Sequence, residues 1–299
     1  MLGKDFTALL GQLVRLFLYS GIGLLTQRKD SMSTADDEYL QLLVRAIRVC
    51  GAYKPKMGRN DKTGLDLTIF RRLYQEDSFY HWFGLDNPLM YAAHKAAGGM
   101  TSIYRQIGIG VEHLFRQVLQ DKLGLTAEQA AWSYTFRGAN RKPRKLSLDG
   151  HIRISDVSNE AARERIGNWL GEACKSLDVE ARAARSLQGA VFEVRQGYKG
   201  KDSKRQDADI ANAATAYTKA YLLCVAVFST QIDEDIAYRY TREKWLVLTG
   251  ITSESSSLRS TYAFLENVIG YDMRAFFERN ATELRREIDA VLKKLLSAE

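Results

Sequence analysis

The stretch that most constrains this chain is residues 221–229, YLLCVAVFS, a run of strand length without one charged side chain. A continuous apolar run of that length, with no alternation, marks a strand covered on both faces. Upstream, residues 189–196, GAVFEVRQ, are rich in β-formers and read as a second strand. Between them, residues 203–220 read as a helix with a very polar first turn. Strand, helix and strand in that order predict a right-handed crossover between two parallel strands. The chain is therefore expected to be α/β, with helices flanking a sheet.

The neighbouring segments extend this plan. Residues 102–123 form an amphipathic helix with Ile103, Ile107, Val111, Leu114, Val118 and Leu119 on its stripe, ended by Gly124. Residues 132–136 alternate as a short strand. Residues 145–154, KLSLDGHIRI, alternate clearly, with Asp149, His151 and Arg153 on the polar side. Residues 157–186 read as helical. The order across 102–229 is thus helix, three strands, helix, strand, with one helical insertion. Residues 1–100 read as largely helical, and the aromatic residues Tyr74, Phe79, Tyr80, Trp82 and Phe83 within them are expected mostly in a core. Residues 230–299 read as mostly helical, interrupted by a loop at 250–258 and closing on a helix at 272–296. One domain over 1–299 is expected, with a core at 102–229 and helical additions at both ends.

Several functions are disfavoured by residue usage. Cys50, Cys174 and Cys224 are odd in number and form no CxxC, which argues against a disulfide framework or a zinc site. Each is expected to be a small core residue in a reducing compartment. The His residues show no HExxH spacing, and GxxxxGK[ST] does not occur. Residues 9–25 are apolar, but the stretch is short for a membrane span and carries Arg15. It reads as a packing helix, and a cytoplasmic protein with no membrane role is expected. The net charge of +7 and a pI near 9.2 favour a polyanionic partner.

The chemistry lies in the strands. Glu193 and Arg195 are two residues apart on a strand and therefore share a face, while Phe192 and Val194 face the other way. The surrounding Ala190, Val191, Phe192 and Val194 mark that strand as central, where an unpaired charge is costly. Asp149 is presented by a neighbouring strand. Two carboxylates on adjacent strands suit Mg²⁺, which prefers hard oxygen donors and keeps most of its waters. A carboxylate in a strand is otherwise an exposed residue or half of an ion pair. The basic cluster Lys199, Lys201, Lys204 and Arg205 that follows favours the functional reading.

The order helix–β–β–β–helix–β, with Asp149 on one strand and Glu193-x-Arg195 on the next, resembles the PD-(D/E)XK nuclease core. The stretch FEVRQGYKGKDSKRQDADIANA is also similar to the strand and helix of type II restriction endonucleases, among them the ApaLI-like family. The resemblance implies a Mg²⁺-dependent enzyme that cuts double-stranded DNA. It implies Asp149 and Glu193 as metal ligands, with Glu112 on the first helix as a third. The position usually held by Lys is Arg195 here, and Gln196 or Lys199 are alternatives for it. Arginine keeps its proton at neutral pH and would stabilise charge instead of acting as a base. The usual Pro before Asp149 is absent. The resemblance also implies a homodimer acting on a six-base palindrome, GTGCAC, and a cognate DNA methyltransferase in a bacterial or archaeal cytoplasm.

DNA contacts are expected from Lys201, Ser203, Lys204, Arg205 and Gln206 at a helix start, which suits phosphate. Arg141 and Arg144 in RGANRKPRK, and Arg242 with its neighbours in 239–259, are the candidate groove readers. Lys54, Lys56, Arg59 and Lys62 form a basic loop that either touches phosphate or is simply solvated. Trp245 and Tyr262 are expected in the core. Two alternatives remain open at this point: a nuclease of the same fold in DNA repair or recombination, and a DNA-binding protein without catalysis.

Overall fold

The computed structural model describes residues 35–57, 63–137, 143–197 and 215–298, and of 136, 137 and 143–146 only the backbone. The chain divides into two compact units, Met1–Gln41 and Leu42–Glu299. In the first, the described residues 35–41 are helical. Everything below concerns the second.

The second unit is mixed α/β, with a mixed sheet flanked by helices. Helix α1 (42–49) is followed by α2 (Leu67–Glu76), α3 (Ser78–Trp82) and the long α4 (Pro88–Leu123). Strands β1 (Trp132–Arg137) and β2 (Pro143–Leu148) form an antiparallel pair. Strand β3 (Gly150–Arg153) then opens a four-stranded sheet with β4 (Gly189–Arg195), β5 (Tyr221–Val227) and β6 (Leu246–Leu248), in spatial order β3-β4-β5-β6. Helices α5 (Glu160–Ser176) and α6 (Ala181–Ser186) lie between β3 and β4 in sequence. Helix α7 (Glu234–Arg242) precedes β6, and α8 (Thr261–Phe264) and α9 (Met273–Leu296) close the chain.

The parallel pairing read from the sequence is present. β4 and β5 run in register from Gly189↔Tyr221 to Arg195↔Val227. β3 joins β4 antiparallel, so the sheet is mixed. Every residue of β5 is buried, as its unbroken apolar run requires. Its odd-numbered residues pack with Trp132, Leu148, Ile236, Tyr240 and Trp245 on one face. On the opposite face Phe192 meets Phe115 of α4 at 5.2 Å and Trp169 of α5 at 6.3 Å between ring centroids. Phe264 of α8 completes that cluster at 5.4 Å from Phe192. Truncating such a fully buried Phe costs about 3–5 kcal/mol. Cys50, Cys174 and Cys224 are buried and free, as small core residues. Among the described residues no helix is long and apolar enough to cross a membrane.

Four local readings are corrected. The single strand expected at 145–154 breaks at Asp149, where the chain passes from the β1–β2 pair to the larger sheet. His151 consequently turns inward and is buried. A glycine is needed at 150 because a β-carbon there would stand 2.8 Å from the Phe115 ring. The helix expected from 102 begins at Pro88, with Asn87 capping the Met90 amide. Its first turns are rich in Ala and Gly, and this small-residue composition hid the apolar period. The helical stretch 157–186 is two helices, the first capped by Asn159 at the Ala162 amide. Finally, the largely helical 230–299 contains β6, which at three residues is too short to show alternation.

The aromatic cluster of the first hundred residues is also not uniformly core. Tyr74 packs against Phe70 with centroids 4.6 Å apart. Phe79, Tyr80, Trp82 and Phe83 are exposed instead, Trp82 by 79%. Aromatic content predicts burial only when a partner element faces the ring, and α3 is a single short turn.

Candidate active site

Asp149 occupies the bend between β2 and β3, and its local bonding explains the bend. Its amide donates to the Phe192 carbonyl at 2.8 Å. Its Oδ2 accepts the Val194 amide at 2.8 Å, beyond the last rung of the β3–β4 ladder, Gly150↔Phe192. The carboxylate thus satisfies a backbone donor that the departing strand no longer reaches. Nε of Arg116, on α4, donates to the Asp149 carbonyl at 2.8 Å and holds the bend from the helix side.

Glu193 lies on central strand β4 and is only 7% exposed. Arg195, two residues on, forms an ion pair with Glu193 and places its other amino group 3.8 Å from Asp149 Oδ2. One guanidinium therefore stands between the two carboxylates. The period-two reading that put Glu193 and Arg195 on one face accounts for their pairing. Glu112 belongs to α4 and accepts Nη2 of Arg116 at 3.1 Å. Arg116 thus ties Glu112 to Asp149. It escaped the sequence reading, although the i,i+4 spacing of Glu112 and Arg116 signals such a pair.

The charges are unbalanced. Glu112, Asp149 and Glu193 supply three negative charges against the two guanidinium groups of Arg116 and Arg195. Burial of Asp149, with the Glu112 charge next in weight, pushes its carboxyl up to about 6. The Val194 amide, Arg195 and Arg116 oppose this without cancelling it. Asp149 consequently favours a proton or another added cation.

Beside the cluster a cavity of about 300 Å³ opens between α4 and the end of β4. Glu112, Tyr104 and Arg105 of α4 line it, together with Arg195, Gln196 and Gly197 from the end of β4. Gln196 and Glu112, both candidates from the sequence, line the same cavity. Tyr104 and Arg105 were not singled out there, since an exposed pair on a helix carries no signature. Among the described residues no group of three or more His, Cys, Asp or Glu side chains forms a metal cage. The donor set still suits Mg²⁺, which commonly takes one or two protein carboxylates and keeps its waters. Asp149 and Glu193 are two carboxylates of that kind, and the Arg195 guanidinium is the cation that stands between them here.

Lys199, Lys201, Ser203, Lys204, Arg205, Gln206 and Arg141 lie outside the described residues, as do Arg59 and Lys62. Arg144 is on β2, with only its backbone described. Arg242 is at the end of α7, its guanidinium carbon 6.0 Å from the Tyr238 ring centroid. Within 239–259, Lys244 donates to the Leu177 carbonyl at 2.7 Å and Arg259 pairs with Glu254 at 3.1 Å. These two are engaged by the chain itself. Trp245 is fully buried, and Tyr262 donates its hydroxyl to the Phe228 carbonyl at 3.1 Å. Both serve packing. No protein-family model, curated protein or solved structure matches the chain.

Proposed function

We propose that this protein is a Mg²⁺-dependent nuclease that hydrolyses phosphodiester bonds of double-stranded DNA, a type II restriction endonuclease with a PD-(D/E)XK arrangement. The observation that carries the reading is the juxtaposition of Asp149 and Glu193 around Arg195, at the end of two adjoining strands and beside a cavity. The antiparallel β3–β4 pair supports it, because it brings the two carboxylates to one strand end.

When bound, the metal supplies a water of lowered pKa and positive charge at the scissile phosphate. Asp149 and Glu193 would hold it. Arg195 remains protonated and neutralises negative charge that develops on the phosphate. Arg116 fixes the backbone at Asp149 and the carboxylate of Glu112. The field of Glu112 raises the affinity of Asp149 for a cation. Gln196 faces the same cavity and can orient water by hydrogen bonding. The basic segment 199–206 and Arg141, Arg144 and Arg242 are assigned to DNA contacts.

A homodimer on a six-base palindrome, GTGCAC, follows from the resemblance of the sequence, because a palindrome mirrors a two-fold axis. A cognate methyltransferase protecting the same site and a cytoplasmic location belong to the same proposal. Digestion of a defined plasmid with and without Mg²⁺, followed by sequencing of the ends, tests it. Discrete fragments ending in one sequence support a restriction enzyme. Nicking or smearing assigns the fold to another DNA-processing task, and binding without cleavage removes the enzyme reading.

A further inference from the structure

A second cavity, of about 460 Å³, lies at the other end of the sheet, where β4 and β5 begin. Arg153 and Lys219 line it, together with Gln188 and the exposed residues Ser133 and Thr135 of β1. Arg153 pairs with Gly189 in the β3–β4 register, so this site and Arg195 stand at opposite ends of β4. Six residue steps along a strand separate those ends by roughly 20 Å.

The cations here are partnered differently from those at the carboxylate end. Arg153 donates from Nε and Nη2 to the neutral amide oxygen of Gln188, at 3.2 and 2.8 Å. Among the described residues neither Arg153 nor Lys219 has a carboxylate within ion-pair distance. Asp156, whose charge reaches Tyr221 in the cavity wall, is instead hydrogen-bonded by the Ser155 hydroxyl at 3.3 Å. Two cations of like sign share one concave site with hydroxyl and amide residues. Such a lining repels cations and offers donors to a tetrahedral oxyanion. The aromatic Trp132 and Tyr221, both buried, line it as well.

We propose that this cavity binds a phosphate group, held by Arg153 and Lys219 with hydroxyl donors from β1. The phosphate comes either as a free anion or as part of a DNA backbone. The site stands on its own residues, so loss of DNA cleavage in Asp149 or Glu193 variants leaves it untouched.

The test is calorimetric titration of the full chain with inorganic phosphate, alongside binding of a short DNA duplex over a range of salt. Wild type is compared with the double variant Arg153→Gln, Lys219→Gln. Removing two charge-assisted contacts is expected to weaken the occupied site by about tenfold or more. Loss of phosphate affinity in the double variant supports the site with a free anion as its ligand. An unchanged response to phosphate, with a salt slope for the duplex reduced by about two, supports it with the DNA backbone as the source. If wild type binds neither probe, or the double variant matches wild type with both, the site is overturned. Both side chains are exposed, and the two single variants carry the same test if the double variant does not fold.

Discussion

The two ends of strand β4 show opposite ways of placing charge on one scaffold. At the Arg195 end, three carboxylates surround the two guanidinium groups of Arg116 and Arg195, each of which is engaged by an acid, and these side chains are largely buried. At the Gly189 end, Arg153 and Lys219 are exposed and no described acid pairs with them. The first arrangement is costly to build, because buried charge must be compensated within the fold. The second costs little, because water solvates both cations. The difference teaches that an excess of negative charge held out of water suits a metal, whereas spare solvated cations suit an anion that arrives from solution.

The largest expected effect breaks the comparison at its acidic end. Glu193→Ala or Asp149→Ala should lower Mg²⁺-dependent cleavage by at least on the order of a thousandfold, while DNA binding stays measurable. Full activity in either variant in a plasmid assay would remove both residues from the site. Next in size is stability. Arg195→Met leaves the buried Glu193 carboxylate without its guanidinium, and urea unfolding should show a loss of about 3–5 kcal/mol.

The pH dependence sharpens the contrast further. In the fold Asp149 titrates at about 6, against about 3.9 for an unperturbed Asp. The folded chain therefore holds a proton that the unfolded chain has released. Stability from this group is present below about pH 4 and is lost as the pH rises towards 6. Asp149→Asn keeps an acceptor for the Val194 amide but removes that titration. Melting curves should show it more stable than wild type at pH 7, by on the order of 2 kcal/mol, with the advantage gone below pH 4. Equal stability at both pH values would contradict the burial-driven rise of this carboxyl. The smallest effect belongs to the opposite end: Arg153→Met should change unfolding free energy by no more than about 0.5 kcal/mol. A loss as large as that of Arg195→Met would erase the distinction between the two ends.

Much of the candidate site was legible because strand periodicity is a local property. Glu193 and Arg195 share a face by spacing alone, and the apolar residues around them mark a central strand. Glu112 was reached only through the family resemblance, since helix periodicity by itself marks it as no more than a surface residue. Arg116 was not, since its Asp149 partner is distant in sequence and the bond is to a backbone carbonyl. The break at Asp149 was hidden for a related reason. The alternation of 145–154 runs through it without a fault, and only competition between two sheets bends the chain there.

What the sequence by itself determined was the covered sheet: β4 and β5 are written as apolar strands, and their parallel pairing is what the helical pattern read between them predicts. It also determined which ionisable groups are available at each strand position. The tertiary structure decided how those groups meet. It placed Arg195 between Asp149 and Glu193, brought Glu112 into electrostatic range of Asp149, and left Arg153 and Lys219 together without a described acid. The physical reason is that periodicity fixes the face a side chain points to, whereas its partner, its burial and its proton affinity depend on residues far away in the chain.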